Sequence, residues 1–268
     1  MAMSETKIAI VTGGSSGIGR EVAKALAASG CRVYEFSRRE RKTDGNIIHV
    51  GTDVSDDESV NNSVAHVLEI EGRVDILVNC AGFGISGAIE FTETESAIKQ
   101  LDVNFFGVVR CTKAVLTPMR EQGSGRIVNI SSVAGPIAIP FQAFYSASKA
   151  AINQYTQALS NEVKMYGISV CAIMPGDIAS GFTAAREKTI AGDEEYGGRI
   201  SKSVKVMEHD EQTGMSPETA GKYIARIALK KHVKPLYAIG FVYKLFTVLI
   251  RLLPCGFANW ILGLIYGG

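Results

Sequence analysis

Six short apolar runs recur along the first 176 residues, and each leads into glycine, serine, aspartate, asparagine or proline. They are rich in valine and isoleucine and stay apolar at consecutive positions, which is typical of strands buried on both faces of a sheet. The pattern therefore predicts six buried strands, in the segments KIAIVTGG, CRVYEFSR, NIIHVGTD, VDILVNCAG, GRIVNISS and GISVCAIMPG.

Segments with helical periodicity lie between these runs and are long enough to be crossover connections: residues 21–29, 57–71, 94–121 and 144–166. Such alternation predicts an α/β fold in which helices cover both faces of a doubly wound parallel sheet, the Rossmann-type architecture. We find no internal repeat or low-complexity linker that would divide the chain. Residues 1–268 are therefore expected to form a single domain.

Residues 181–215 depart from this alternation. They are polar, carry mixed charges, and show a weak helical signal and no strand signal. An excursion of this length from a sheet is often a lid over an active site. We therefore expect a substrate lid here.

Residues 241–268 form an apolar C-terminal extension that carries no charge after Arg251. Prolines and glycines interrupt it, so an uninterrupted membrane-spanning helix is not expected. Three interpretations remain open for this extension, because a large exposed apolar patch is otherwise a liability. It walls an apolar substrate pocket, lies on a membrane surface as a peripheral contact, or is buried against a second subunit in a homodimer or tetramer.

Composition narrows the class of protein. Hydrophobic residues make up 46% and charged residues 21%, and the formal net charge of +1 gives no overall field to attract nucleic acid. Five scattered cysteines without a CxxC motif disfavour a disulfide framework and a metal site. With no signal-like N-terminus, these features predict a cytoplasmic location, and the C-terminal extension leaves membrane association as the alternative.

A glycine-rich loop, TGGSSGIGR, follows the first predicted strand and precedes a helix. Glycine permits a tight turn there and lets backbone N–H groups at the helix N-terminus approach a phosphate. A tight turn without a ligand also needs glycine, but the position after the first strand of an alternating series favours a dinucleotide site. The residues expected to hold it are Gly13, Ser15, Ser16, Gly17, Ile18 and Gly19.

The end of the second strand distinguishes the two nicotinamide cofactors. An acidic residue there would bind a ribose 2′-hydroxyl, but this chain has Ser37 followed by Arg38 and Arg39, which suit a 2′-phosphate. The sequence thus favours NADP(H). Two alternatives stay open: the arginines form a solvated surface run, or the strand ends earlier and Glu35 is the ribose ligand.

Two later strand ends add to the expected pocket. Asp53 and Val54 are placed to hold an adenine through a carboxylate and a backbone amide, and Asn79, Ala81 and Gly82 are expected close to the same cleft. Each polar residue has an ordinary alternative. Asp53 caps a turn, or Asn79 stabilises the sheet through backbone hydrogen bonds.

Tyr145 and Lys149 lie four residues apart in FYSASKAA, so a helix brings them to one face. A free phenol has a pKa of about 10, and a neighbouring ammonium would lower that pKa and make the phenol a competent general acid or base. Ser132, thirteen residues earlier at a strand end, is within reach of the same oxygen. Taken alone, the Tyr/Lys pair would be a solvated helix face.

Six motifs in order, TGGSSGIG, NCAG, DVNFFG, NISS, YSASK and PGDIAS, resemble those of the short-chain dehydrogenase/reductase family over about residues 7–180. The resemblance implies that Tyr145 exchanges a proton with the substrate oxygen while Ser132 orients that oxygen. It also implies that Lys149 holds the nicotinamide ribose and lowers the pKa of Tyr145, and that Asn104 positions a water in the proton relay. The hydride belongs to the cofactor.

The resemblance extends to the nicotinamide side of the cofactor. It implies cofactor contacts from Pro175, Gly176, Ile178 and Ser180, where Ser180 replaces a threonine that is common in the family. A serine hydroxyl still binds the carboxamide. Cys80 stands where asparagine is frequent, which puts one side-chain hydrogen bond of that loop in doubt.

The segments SPETAGKYIARIAL and KPLYAIG resemble a helix and a last strand of family members that act on hydroxysteroids, retinoids and other lipid-like alcohols. This implies an NADP(H)-dependent enzyme that interconverts a secondary alcohol and a ketone on a small apolar substrate, a hydroxysteroid or bile acid first. The residues expected to face it are Phe83, Ile85, Ile137, Ile139, Phe141, Phe182 and Tyr196.

Two alternatives to the steroid remain. One is a 3-oxoacyl thioester or long-chain lipid ketone, and for a carrier or coenzyme A the chain offers Arg199, Lys202 and Lys205 as a basic patch. The other is a non-enzymatic nucleotide-binding scaffold, which has no need of Ser132, Tyr145 and Lys149 together.

Overall fold

A computed structural model describes residues 6–266, apart from the side chain of Arg251. Seven parallel strands form the central sheet in the order β3-β2-β1-β4-β6-β7-β9. The strands of this sheet are β1 Ile8–Thr12, β2 Arg32–Ser37, β3 Ile47–Gly51, β4 Ile76–Asn79, β6 Gly125–Ile130, β7 Ile168–Met174 and β9 Leu236–Ala238, and a separate two-stranded sheet pairs β5 Ile85–Ser86 with β8 Glu187–Lys188. The six predicted strands are confirmed. β9 lies in the segment KPLYAIG, which resembles the last strand of other family members.

Helices cover both faces of the sheet. Two buried apolar layers separate them from the strands, one including Tyr34, Leu77 and Val115, the other Val22, Ile173 and Ile224. The helices are α1 Gly17–Ala28, α2 Asp57–Glu71, α3 Thr94–Leu101, α4 Gly107–Glu121, α5 Ala143–Glu162, α6 Phe182–Ala185, α7 Arg199–Thr213, α8 Pro217–Ala228, α9 Phe241–Leu252 and α10 Cys255–Tyr266. The doubly wound fold is therefore confirmed. β3 differs from the prediction, because an edge strand is covered on fewer sides and is half-buried.

The crossover predicted over residues 94–121 is continuous but not uniform. Between α3 and α4 the backbone forms a π-helical turn over Asp102–Phe106. Such a turn changes the direction in which the side chains around it point, and π-turns are frequent at functional sites. Here it buries Asn104 completely.

The predicted lid is more ordered than its sequence indicated. It contains α6, β8 and the fifteen-residue helix α7, whereas the prediction had a weak helix and no strand. The missed strand β8 has only two residues, which pair with β5. A strand this short is defined by its partner and leaves no periodicity in the sequence.

The C-terminal extension forms two short helices separated by Leu253 and Pro254. On α9, an outer face of apolar residues is exposed: Phe241, Val242, Leu245, Val248, Leu249 and Leu252. On α10, Phe257 and Trp260 are exposed and stack with ring centroids 5.7 Å apart. Within residues 6–266, no helix combines the length and apolar character needed to cross a membrane.

Candidate active site

A cavity of about 670 Å³ lies at the carboxyl edge of the sheet. Its floor comes from the segments that follow β1, β2, β3, β4, β6 and β7, and its roof from the lid and the C-terminal helices. The strand order reverses between β1 and β4, and in open α/β sheets ligands bind in the crevice at this point. The cavity therefore lies at the place where open sheets of this topology bind ligands.

The glycine loop lines one end of this cavity with all six of the predicted residues. Gly13 has φ +65°, and a Cβ on it would lie 2.8 Å from the Cα of Ala81. A Cβ on Gly19 would lie 2.4 Å from the carbonyl oxygen of Gly13. The Ser16 side chain does not cap α1, so the first N–H groups of the helix remain for another acceptor. This cradle fits the pyrophosphate of a dinucleotide.

Ser37, Arg38 and Arg39 also line the cavity, at the end of β2. Both arginines are exposed, and neither forms an ion pair within the described part of the chain. Glu35 lies elsewhere: its buried carboxylate is 2.7 Å from His49 Nδ1 and does not reach the cavity. The structure thus disfavours Glu35 as a ribose ligand and leaves two unpaired guanidinium groups that fit a 2′-phosphate.

Asp53 and Val54 line the cavity as well. Asp53 also holds a turn, because its Oδ1 accepts hydrogen bonds from the Ser55 backbone N–H at 3.0 Å and from the Ser55 hydroxyl at 2.6 Å. Burial would raise the pKa of Asp53, but these hydrogen bonds and the charges of Arg38 and Arg110 outweigh it and lower that pKa. Both interpretations of Asp53 are therefore compatible with the structure.

Asn79 was expected among the residues that contact the cofactor, but the structure places its side chain elsewhere. Its side chain does not line the cavity; it is buried and donates to Asn129 Oδ1 at 2.9 Å and to Thr112 Oγ1 at 3.4 Å. Successive side chains of a strand point to opposite faces, and the last residue of β4 points into the layer between sheet and helices. Ala81 and Gly82, which follow it, do line the cavity.

Ser132, Tyr145 and Lys149 come together in the middle of the cavity. The Tyr145 side chain is hydrogen-bonded to Ser132. Lys149 is only 6% exposed, its Nζ donates to the carbonyl oxygen of Ile130 at 2.9 Å, and the same Nζ lies 5.5 Å from the centroid of the Tyr145 ring. The predicted common helix face is therefore present, with Lys149 buried and Tyr145 half-buried.

The pKa of Tyr145 moves opposite to the expected direction. Burial raises it to about 12; the hydrogen bond with Ser132 acts against this rise, while the charge of Glu211 adds to it. Burial also lowers the pKa of Lys149 to about 8. The Tyr145 pKa is thus raised and not lowered as predicted, because desolvation of the phenol outweighs the interactions that favour the phenolate.

Asn104 contacts the site indirectly. Its Oδ1 accepts from the Phe83 backbone N–H at 2.9 Å, and its Nδ2 donates to the Phe83 carbonyl at 2.9 Å and to the Ser148 hydroxyl at 3.2 Å. It does not line the cavity. The π-helical turn therefore uses this amide to fix the segment after β4 against α5, and the expected role in positioning a water stays a prediction.

Pro175, Gly176, Ile178 and Ser180 all line the cavity after β7. A Cβ on Gly176 would lie 2.2 Å from the ring of Tyr243 in α9, and the Tyr243 hydroxyl donates to the Asp177 carboxylate. The sequence did not point to Tyr243, because it lies far along the chain in a segment without a polar motif. The C-terminal extension is thus fastened directly to the predicted nicotinamide segment.

The far end of the cavity is largely apolar. Of the seven residues expected to face the substrate, Phe83, Ile137, Ile139 and Phe182 line it. The other three do not: Ile85 belongs to β5, and Phe141 packs edge-to-face on Tyr196 with centroids 5.9 Å apart. The basic residues Arg199, Lys202 and Lys205 also lie outside the lining. Lining residues that the sequence did not indicate include Lys99, Gln142, Asp177, Glu187, Met207, Asp210, Glu211, Tyr243, Phe246 and Tyr266.

Comparison with known proteins gives one consistent family. A family model described as short chain dehydrogenase matches residues 7–191. The 3-ketodihydrosphingosine reductase of Bacteroides thetaiotaomicron is 39% identical over 230 residues, which cover 85% of this chain and 86% of that protein.

Two solved structures extend this similarity to the fold. A short-chain dehydrogenase from Streptomyces avermitilis has a TM-score of 0.82 and 30% identity, and the match covers 96% of this chain and 97% of the other. ElxO with NADP bound has a TM-score of 0.75 and 27% identity, and the match covers 90% of this chain and 99% of the other.

These similarities bear on the expected substrate. The Bacteroides relative favours the long-chain lipid ketone that the sequence left as an alternative over the hydroxysteroid that it put first. The hydroxysteroid stays a prediction that these similarities do not support.

Proposed function

The chain belongs to the short-chain dehydrogenase/reductase family, as its motifs predicted, and we propose that it uses NADPH to reduce the ketone of a long-chain lipid. The arrangement that carries this proposal is the position of Ser132 and Tyr145 between a dinucleotide cradle and an apolar chamber. A ketone bound between these two parts of the cavity would have its carbonyl beside Tyr145 and its aliphatic chain in the apolar far end. The resemblance to a 3-ketodihydrosphingosine reductase supports this substrate class.

NADP(H) fits the residues present at the cofactor end. The glycine loop would hold the pyrophosphate, Arg38 and Arg39 the 2′-phosphate, and the segment from Pro175 to Ser180 the nicotinamide. When bound, this cofactor supplies the hydride. ElxO, which matches 90% of this chain, has been solved with NADP bound, and the two arginines at the end of β2 carry the preference over NAD.

Tyr145 would act as the general acid in reduction. Its hydroxyl would give a proton to the carbonyl oxygen, while the Ser132 hydroxyl donates a hydrogen bond to that oxygen and holds it in place. A tyrosine with a pKa of about 12 keeps its proton at neutral pH, so it is ready to donate. Lys149, buried beside the ring, would attract the negative charge that develops on the phenol oxygen.

The shape of the chamber supports a long chain. Its roof includes Phe246 and Tyr266, which lie on the two helices of the C-terminal extension, and Met207 of the lid. α9 is two-sided: Tyr243 and Phe246 face the cavity, and the exposed apolar face described above points away from it. The pocket interpretation of the extension therefore has structural support on the inner face only.

For the outer face of α9 we propose a lipid surface as the partner. No acidic residue occurs in residues 241–268, Lys244 is exposed on the same helix, and the stacked Phe257 and Trp260 are of the kind enriched at membrane interfaces. A substrate with a long chain resides in such a surface, next to the helices that roof the cavity. All five cysteines are free thiols, which supports a location on the cytoplasmic side of a membrane, where thiols stay reduced.

Vesicle co-sedimentation tests this membrane contact. Wild type should sediment with vesicles containing anionic lipid, and Leu245→Asp/Leu249→Asp should not, whereas Ile190→Asp, an exposed position in the lid, should behave as wild type. The alternative outcome is that wild type does not bind vesicles and is a homodimer in light scattering, whereas the double variant is a monomer. This outcome would assign the outer face of α9 to a second subunit instead.

The 3-oxoacyl thioester remains the second candidate substrate. Its carrier would dock on the outer surface, where Arg199, Lys202 and Lys205 are exposed on α7, whereas a free lipid ketone needs only the cavity. The direct test is to incubate the enzyme with NADPH and a long-chain 3-ketone and to identify the secondary alcohol by mass spectrometry. Failure to form it, with turnover of a 3-oxoacyl thioester, would overturn the proposal in favour of that candidate.

A further inference from the structure

Arg186, which follows α6 in the lid, carries a buried charge to which the proposed reaction assigns no role. Its side chain is 1% exposed and pairs through Nη2 with the Glu211 carboxylate of α7. The other two guanidinium nitrogens, Nε and Nη1, are buried and have no hydrogen-bond partner within residues 6–266. A buried ion pair with unused donors contributes little to the stability of a fold, because desolvation offsets most of the attraction. Arg186 is therefore a candidate for a functional role.

The guanidinium of Arg186 lies over the aromatic ring of Phe182, with Cζ 5.7 Å from the ring centroid. The attraction between a guanidinium and an aromatic ring is stronger when both groups are desolvated. The Phe182 ring in turn contacts the Tyr145 ring, with 5.6 Å between the two centroids and an interplanar angle of 54°. Arg186 is thus joined to the proposed general acid through one intervening ring.

The Phe182 ring also packs on the backbone of Gly84, in the segment that follows β4. A Cβ on Gly84 would lie 3.0 Å from Phe182 Cζ and 3.5 Å from Arg186 Nε, so the ring contacts the glycine backbone directly. The backbone N–H of Glu187 donates to the carbonyl oxygen of Gly84 at 2.9 Å, which fastens the next lid residue to the same place. The ring is therefore enclosed by Gly84, Arg186 and Tyr145.

Glu211 ties this arrangement to α7. Its Oε1 pairs with Arg186, and its Oε2 accepts a hydrogen bond from the Thr183 hydroxyl at 2.5 Å. Because Thr183 directly follows Phe182 and Arg186 lies one helical turn further on, two bonds to the same carboxylate hold the short helix that carries the ring. The position of Phe182 thus depends on the pairing between Arg186 and Glu211.

We infer that Arg186 is a positioning residue for the reaction: paired with Glu211, it holds the Phe182 ring against Tyr145 and thereby fixes the direction of the tyrosine hydroxyl. Proton transfer needs a hydrogen bond of suitable geometry, so a phenol that is free to turn would react more slowly. This inference rests on the proposed function only in that Tyr145 donates the proton, and it holds for any ketone that the enzyme reduces. It gives the lid a part in orienting the acid as well as in enclosing the substrate.

The charge of Arg186 offers a different route to the same tyrosine. Burial is the main cause of the raised pKa of Tyr145, and beyond it Glu211 raises and Arg186 lowers that pKa. Removal of Arg186 alone would leave Glu211 and make the phenol a weaker acid, which also slows proton donation. Substitutions at Phe182 and Arg186 together separate the effect of the ring from the effect of the charge.

A double-mutant cycle measured in kcat makes this separation. Arg186→Met should lower kcat for ketone reduction about tenfold to hundredfold, up to the cost of a reacting group misplaced by about 1 Å. In the Phe182→Leu background the same substitution should change kcat less than about twofold, because the ring through which Arg186 acts is gone. A charge acting directly on Tyr145 would instead lower kcat by the same factor in both backgrounds.

Lys188→Met is the matched control. Lys188 also joins the lid to α7, through an ion pair with Glu208, but it lies outside the cavity lining. Its kcat should stay within about twofold of wild type, as expected for a partly exposed ion pair. Arg186→Lys keeps the charge and loses the planar group, so its kcat should also fall, and it takes the place of Arg186→Met in the cycle if that variant does not fold.

A measurement without substrate distinguishes failure of this inference from failure of the proposed function. With tyrosine labelled by carbon-13 at the ring ε positions, Tyr145→Phe identifies the NMR signal of Tyr145. A neighbouring aromatic ring shifts such a signal, so Phe182→Leu and Arg186→Met should move it in the same direction. Lys188→Met should leave it in place.

An unmoved Tyr145 signal in Arg186→Met, an equal fall of kcat in both backgrounds, or wild-type kcat in Arg186→Lys would overturn the inference. A moved signal in a protein that reduces neither a lipid ketone nor a 3-oxoacyl thioester would support the positioning contact and remove the proposed function. Reduction of the lipid ketone by wild type, with an unmoved signal in Arg186→Met, would do the reverse.

Discussion

The two ends of the cavity are built in opposite ways. The cofactor end consists of short segments that directly follow neighbouring parallel strands, so the sheet alone brings them together. The roof of the substrate end is assembled from α7, α9 and α10, which lie in segments outside the sheet. The first end depends on backbone shape and glycine, whereas the second depends on side chains carried by helices. The cofactor end therefore suits a ligand common to a whole family, and the substrate end suits a ligand particular to this chain.

Tyr145 lies where the two ends meet, and its replacement should have the largest effect. Tyr145→Phe keeps the ring on Phe182 but removes the acidic hydroxyl, and kcat for ketone reduction should fall roughly a hundredfold to ten-thousandfold. NADPH binding, measured by the fluorescence of the cofactor, should stay within about twofold of wild type. A variant with full turnover would remove Tyr145 from the mechanism.

The cofactor end should be sensitive to a single methyl group. In Gly19→Ala the new Cβ would meet the Gly13 carbonyl oxygen at 2.4 Å, so the loop must shift away from its phosphate-binding shape. The Kd for NADPH should rise about a hundredfold, which corresponds to the loss of one or two hydrogen bonds to a charged phosphate. Gly256→Ala, where a Cβ meets nothing within 4 Å, should leave the Kd unchanged.

Arg38 tests which of the two cofactors this end selects. Arg38→Ala removes an unpaired guanidinium, and the ratio of kcat/KM for NADPH to that for NADH should fall about tenfold. Arg41→Ala, an exposed position outside the cavity lining, serves as the control. An unchanged ratio in Arg38→Ala would contradict the assignment of the 2′-phosphate to this residue.

Tyr243 joins the two ends, and its variant should have the smallest effect. Tyr243→Phe keeps the ring against Gly176 and removes only the hydroxyl that donates to Asp177. KM for the ketone should rise about threefold to tenfold, while kcat changes less than about twofold, as the loss of one hydrogen bond predicts. Tyr166→Phe, an exposed position, is the control. A large fall in kcat instead would make Tyr243 part of the catalytic geometry.

The same contrast explains what the sequence predicted and what it did not. The glycine loop, Ser132, Tyr145 and Lys149 were predictable because strand ends and helical spacing fix their positions locally. Asn79 was placed in the wrong layer because a strand end alone does not say to which face its last side chain points. Gln142 and Asp210 carry no local signal, since only packing of the lid over α5 brings them into the cavity. The pKa of Tyr145 was also mispredicted, because burial is a property of the whole fold.

A competition experiment tests the proposed substrate most directly. Wild-type enzyme with NADPH is given a long-chain 3-ketone and a 3-keto steroid in one mixture, and the ratio of the two alcohol products gives the ratio of their kcat/KM values. The proposed function predicts a ratio of at least about ten in favour of the long-chain ketone, the difference that about two additional buried methylenes would supply at about 0.8 kcal/mol each. A ratio at or below one would contradict it and restore the steroid.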